Sequence, residues 1–352
     1  MRHITVSWVC LLALLGGWQP TQAAAGYHDF DFALGSWQTR ILHLQHSPGK
    51  AAGWTVWTGT VLTAKVWNGR SNVQEIEVNT PDGRIEELRL CLYRPLLRQW
   101  YLYWADRDDG VLTPPMIGEF EHGVGKFYDQ ESHGDRVIFV RHLYSKITSS
   151  SYHWQQAFSD DGGTTWQPNW NVTLTRQSPA PAGGQGTSAS APSASASHAF
   201  DFAWGEWRSD ISFLPDPFSS RPHWMKIHGH VSVRRLWGGQ ANLEEIEAKG
   251  PQGSFEGLTL RLYDPKTRQW YLYSADSKDG ELAEPLVGDF RNARGVFYSQ
   301  DTRAGRTVFV RNVYSDVTAD SYRLEQALSD DGGRTWRTNL TARVTRAASR
   351  SS

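Results

Sequence analysis

Cysteine is nearly missing from this chain. Two occur, Cys10 and Cys91, and the first lies in an N-terminal stretch read below as a leader. One remaining thiol cannot build a disulfide framework, so packing alone must hold the protein together. Excess charge is missing too: Lys+Arg 36 stand against Asp+Glu 37, a net charge of -1, with no Lys/Arg run. A surface that tracks phosphates needs a positive excess, so nucleic acid is not an expected partner. After the N-terminal stretch no apolar run is long enough to cross a bilayer as a helix, and no helix-length amphipathic segment interrupts the rest. G-x-S-x-G, the P-loop, C-x-x-C and H-E-x-x-H are all absent, which removes the commonest catalytic and metal signatures. No cofactor and no metal are expected. His228 and His230 are two apart, as ligands on a strand can be, yet Thr58 and Thr60 stand at the matching places of the first half.

What is present is a repeat. F-D-F-A-L-G-S-W, Phe30 to Trp37, returns 170 positions later as F-D-F-A-W-G-E-W, Phe200 to Trp207. Five tryptophan pairs keep that offset: Trp37/Trp207, Trp54/Trp224, Trp67/Trp237, Trp100/Trp270 and Trp166/Trp336. Hydrophobic residues at 39% suffice for a core in each half. The expected organisation is a signal peptide at 1–25, a first domain at 26–176, a tether at 177–198, a second domain at 199–347 and a short tail at 348–352. The leader combines Arg2 and His3 with an apolar run from Ile4 to Leu15 and small residues for cleavage after Ala23 or Ala25, which predicts a periplasmic or secreted protein. The tether, rich in Ala, Ser, Pro and Gly, has nothing that offsets the entropy of ordering.

Each repeat has β texture. Short runs alternate apolar and polar residues between Gly-containing turns, and strands are expected near 36–44, 54–66, 71–79, 84–93, 99–105, 115–121, 124–130, 136–145, 151–158 and 165–175. Asn68-Gly69 and Asp109-Gly110 suit the positive φ of tight hairpins. Such a meander avoids open edges by closing. The fold class is all-β: two tandem antiparallel up-and-down barrels of about 8–10 strands each, a size just wide enough to be filled by side chains or to hold one small ligand. An open sandwich is the alternative.

Two resemblances attach to these residues. Gly35-Ser36-Trp37 and Gly205-Glu206-Trp207 resemble the G-x-W that opens lipocalin-type barrels. That resemblance implies Trp37 and Trp207 at the closed base, with Arg176 and Arg346, from L-T-R and V-T-R, lying across their faces. The whole repeat resembles an uncharacterised lipocalin-like family of bacterial proteins. It does so through F-D-F-x-x-G-x-W, R-Q-W-Y-L-Y (Arg98 to Tyr103, Arg268 to Tyr273), I-F-V-R-H-L-Y-S and V-F-V-R-N-V-Y-S, and S-D-D-G-G-x-T-W. This implies a fold and offers no activity.

Several residues invite a functional reading. Ser159 to Trp166 and Ser329 to Trp336 fit the Asp-box pattern of sugar-processing propellers; with one per repeat they read as a structural turn. Glu75 and Glu77, repeated as Glu245 and Glu247, share one strand face. Arg141 and Arg311 share the face of Phe139 and Phe309. If that face lines the barrel, each Arg is paired internally or awaits a ligand carboxylate. Trp100 and Trp270 are candidates to cover an apolar body. The expected function is a non-catalytic binding protein for a small apolar or amphipathic ligand. The alternatives are a barrel enzyme using Glu and Arg, and a carbohydrate-binding module using exposed aromatics. Trp57, Trp104, Trp154 and Trp170 give way to Ile227, Ser274, Leu324 and Leu340 in the second repeat, which suggests that the two barrels differ as receptors.

Overall fold

The computed structural model describes residues 25–45, 53–177, 196–251, 253–303 and 305–347. The expected leader, except Ala25, lies outside these residues, as do the tail at 348–352 and all of the expected tether except Gln177 and 196–198. The chain divides into two compact units. Each contains a closed antiparallel barrel of ten strands joined in sequence order.

In the first barrel the strands are β1 (Gly35–Gln45), β2 (Gly53–Val66), β3 (Ser71–Thr80), β4 (Gly83–Arg94), β5 (Gln99–Asp106), β6 (Met116–Glu121), β7 (Val124–His133), β8 (Arg136–Ser145), β9 (Ser151–Ser159) and β10 (Gln167–Arg176). The second barrel runs from β11 (Gly205–Phe213) to β20 (Arg337–Arg346). The expected strands fall on these ten, with ends displaced by a few residues. Asn68 and Gly69 do take positive φ, 58° and 97°, inside a 3-10 turn between β2 and β3. Asp109-Gly110 lies instead in the long connection 107–115 between β5 and β6, so that pair does not form a tight hairpin.

Closure comes from β1, which pairs with β2 on one side and β10 on the other, matching Trp37 to Val61 and to Arg176. Period-two alternation in β1 buries Trp37, Thr39 and Ile41 and exposes Gln38 and Arg40. The seam between β5 and β6 is the shortest: Trp100, Tyr101 and Leu102 pair with Gly118, Ile117 and Met116. The second barrel repeats it through Trp270, Tyr271 and Leu272.

The repeated F-D-F segment plugs one end. Asp31–Ala33 form a 3-10 turn, and Ala33 O accepts the Trp37 indole N–H at 2.7 Å. Phe30 is driven into the barrel, with ring centroids 4.9 Å from Trp100 and Phe120 and 5.3 Å from Tyr144. Such edge-to-face pairs contribute about 0.5–1.5 kcal/mol each beyond area burial. Phe200 repeats the plug against Trp270, Phe290 and Tyr314. The Arg176 guanidinium carbon stands 4.1 Å from the Trp37 ring, and its N–H groups donate to Phe32 O, Leu34 O and Ser149 O. Arg346 stands 4.0 Å from Trp207 and donates to Trp204 O and Ala319 O. Gly35, at φ 97°, passes beneath Arg176, where an added Cβ would come within 3.1 Å of its Nη1.

The Asp-box segments are self-contained turns. Asp161 accepts the Thr165 N–H and hydroxyl and the Ser159 hydroxyl, which lowers its carboxyl to about 2. Trp166 Nε1 donates to Gly163 O. Among the described residues no helix is long and apolar enough to cross a membrane, and no group of three or more His, Cys, Asp or Glu is placed to hold a metal ion.

Candidate functional site

Above the plug, the first barrel encloses a cavity of about 360 Å³. The inward parity set by Trp37 decides its walls. Cross-strand register carries that parity from Trp37 through Val61 to Ile76 and Glu87, and separately pairs inward Phe127 with His142. The inward residues are therefore Gln74, Ile76 and Val78 of β3, Glu87 and Arg89 of β4, Leu102 and Trp104 of β5, His142 and Tyr144 of β8, and Tyr152, Trp154 and Gln156 of β9.

Arg89 is the centre of this arrangement. It is 6% exposed and stacks on Trp104, with its guanidinium carbon 3.6 Å from the ring centroid. Trp154 and Tyr144 lie at 5.7 and 5.9 Å. One N–H donates to the Tyr144 hydroxyl, and the buried Nε has no acceptor. No ion pair to Arg89 lies within 4.0 Å among the described residues. Glu87, two residues away on the same face, accepts the Trp104 indole N–H at 2.9 Å. Burial pushes the Glu87 carboxyl above its ordinary range; the Trp104 bond and the Arg89 charge pull back. His142 is wedged between Trp104 and Trp154, at 5.2 and 4.7 Å, with Nε2 2.8 Å from Gln156 Oε1. Burial first, and Arg89 second, lower its pKa to about 3, so it is a neutral imidazole whose Nε2–H donates to Gln156. Burial likewise raises Tyr144 and Tyr152, and lifts the Cys91 thiol to about 12. Asp106, Asp129 and Glu131 also line the cavity, Asp129 half-buried and Glu131 exposed.

The residues singled out from sequence stand elsewhere. Glu75 and Glu77 fall on the outer parity of β3, and Glu77 pairs with Arg84. Glu245 and Glu247 repeat that placement, Glu245 accepting from Arg234 at 3.1 Å. Arg141 and Arg311 are outward, 4.5 and 4.6 Å from the rings of Trp166 and Trp336, so each caps an Asp-box tryptophan. The condition under which these groups would meet a ligand in the lumen, that their strand faces line the barrel, is not met by the register. Val140, His142 and Tyr144 take the inward parity of β8, and both faces of that strand are partly apolar, so alternation alone gave no preference. Trp100 and Trp270 point inward but belong to the plug. Trp100 is 1% exposed under Phe30 and donates to Asp29, while Trp270 donates to Ala196 O. Of the four tryptophans exchanged between repeats, Trp104, Trp154 and Trp170 do line the cavity. Sequence reasoning missed Arg89. Its one signal is a lone cation inside the apolar run Leu88-Arg89-Leu90-Cys91-Leu92.

The second barrel treats the same space differently. Thr259, Ser274, Asn312 and Leu324 occupy the places of Arg89, Trp104, His142 and Trp154. Its buried cation is Arg261, at the place of Cys91 and 1% exposed. Arg261 donates to Asn242 Oδ1 at 2.8 Å and to the carboxylate of Glu244. Burial opposes the Arg261 charge, but Glu244 outweighs it and raises the pKa. Ile227, Phe213 and Leu340 are buried in its core.

No family model matches this chain, and no curated protein matches it. Among solved structures it is similar to a protein of unknown function from the DUF3598 family of Nostoc punctiforme, at 11% identity over 92% of this chain and 99% of that one, with a TM-score of 0.26. It is also similar to the S-type phycobiliprotein lyase CPES from Guillardia theta, at 11% identity over 43% of this chain and 91% of that one, with a TM-score of 0.30. Likeness at these scores carries no argument about the site, whose reading rests on the geometry above.

Proposed function

We propose that this chain is an exported, non-catalytic binding protein whose first barrel holds one small, largely apolar ligand. The observation that carries this reading is the cavity of about 360 Å³ walled by Trp104, Trp154, Tyr144 and Tyr152 around a buried Arg89. Apolar walls with a few convergent polar groups are the usual make-up of a small-molecule site. The leader supports export; N-terminal sequencing of the protein from medium or periplasm should begin near residue 24 or 26.

The catalytic alternative has one observation behind it. Glu87 is a buried carboxyl with a raised pKa inside the cavity, as an acid–base residue would be. It is held by Trp104, however, and the nearby imidazole is neutral and bonded to Gln156, so binding is the better-supported use.

The test is native mass spectrometry of protein purified from its own periplasm or medium. Wild-type chain should carry a small non-protein mass that a Trp104→Ser/Trp154→Leu variant, built with the second barrel's own residues, no longer retains. Wild-type chain that is always empty, and that also ignores hydrophobic fluorescent probes, would sink the proposal.

A further inference from the structure

The two barrels each bury an arginine over the same aromatic floor, and they satisfy it differently. The guanidinium carbon of Arg89 lies 5.9 Å from the Tyr144 ring, and that of Arg261 lies 5.9 Å from the matching Tyr314. Arg261 has a carboxylate, Glu244, and an amide oxygen. The buried Nε lacks an acceptor in both, but the only acceptor of Arg89 among the described residues is the Tyr144 hydroxyl, with no carboxylate within ion-pair distance. The place of Glu244 is taken in the first barrel by Gln74, which is 1% exposed and directly across the β3–β4 pair from Arg89. The Gln74 amide turns along its own strand to Asn72. A guanidinium withdrawn from water is costly unless its N–H fork meets an anion, and a carboxylate meets that fork with two parallel bonds.

Resting on the reading of the first barrel as a binding site, we infer that its ligand is a monocarboxylate with a flat aromatic body, seated with its carboxylate on Arg89. The second barrel supplies the same carboxylate from its own chain as Glu244. The flat body follows from the walls: Trp104 and Trp154 face the lumen here, and Ser274 and Leu324 replace them where no such body has to be held. A single negative charge follows from the lining, since Asp106, Asp129 and Glu131 disfavour a phosphate or a polyanion.

The experiment uses the full chain and two matched probes, naphthalene-2-carboxylate and the neutral naphthalene-2-methanol, followed by calorimetry and tryptophan fluorescence. Wild type should bind the carboxylate at least about tenfold more tightly than the alcohol. Arg89→Gln should erase that preference. Gln74→Glu, which builds the second barrel's internal anion opposite Arg89, should abolish carboxylate binding and raise the melting temperature. A damaged fold cannot give that combination, so this variant keeps the idea testable if Arg89→Gln fails to fold. Equal binding of both probes by wild type would overturn the carboxylate assignment and leave the binding-site reading standing. A carboxylate preference that survives both substitutions places the anion elsewhere and overturns it as well. Failure of both probes to bind would bring down the site itself.

Discussion

His142 shows how a residue inside this barrel differs from the same residue in water. Its pKa is lowered from 6.5 to about 3, mainly by burial and then by Arg89. In the folded protein it is neutral over the physiological range; in the unfolded chain it takes up a proton as pH falls below about 6.5. The unfolded state then binds more protons, so the contribution is fully present above pH 6.5 and is lost progressively toward pH 3. Replacing His142 with Asn, the residue the second barrel uses at Asn312, removes this pH dependence. Between pH 6.5 and 5 wild type should lose on the order of 1–2 kcal/mol more stability than the variant, read by urea melts at the two pH values. At this scale the sequence was least legible. A period of two says that Arg141 and His142 face opposite ways, but not which faces inward, because Ile138, Phe139, Val140 and Leu143 make both sides of β8 apolar. Arg89 was hidden for the same reason.

At the scale of the element, the F-D-F turn, the Trp at the start of β1 and the Arg at the end of β10 form one device. The strand pairing that puts Trp37 opposite Arg176 lets one guanidinium cover an indole and donate to three carbonyls. Arg176→Ala should cost about 1–2 kcal/mol, since the site is partly exposed, and should lower the first barrel's thermal midpoint by roughly 3–8 °C in a calorimetric scan. A harsher effect is expected within the sheet. Gly118 sits between Trp100 and Phe127 in register, and an added Cβ would stand 1.9 Å from Lys126 O. Gly118→Ala should therefore cost about 3 kcal/mol or more, seen as a drop in denaturation midpoint or in soluble yield. Elements were the most legible feature of this sequence. Period-two patterning and turn residues located ten strands per repeat, because most strands are bounded by connections rich in Gly, Asn, Asp, Ser or Pro. The exception, Asp109-Gly110, has the chemistry of a tight turn but lies within a longer connection.

For the whole molecule, the repeat itself announced two like domains, and the lost tryptophans announced that they are unlike inside. The structure adds how they differ. One lumen keeps a cation with a single hydroxyl acceptor; the other is neutralised by Glu244 and carries Ser274, Leu324, Leu340 and Asn312 where the first has Trp104, Trp154, Trp170 and His142. A titration with naphthalene-2-carboxylate should therefore saturate at one equivalent per chain; two equivalents would show that the second barrel is open as well.

Each barrel wall is also uneven. Nine of its ten seams are laced over five or more residue pairs, whereas β5 and β6 share three, in both copies. Amide hydrogen exchange should record this directly, with Met116 and Ile117 and their counterparts Leu286 and Val287 trading protons for deuterons before the β1–β2 rungs do. The wall should therefore part first where it has the fewest rungs, beside Leu102 and Trp104, both of which face the cavity.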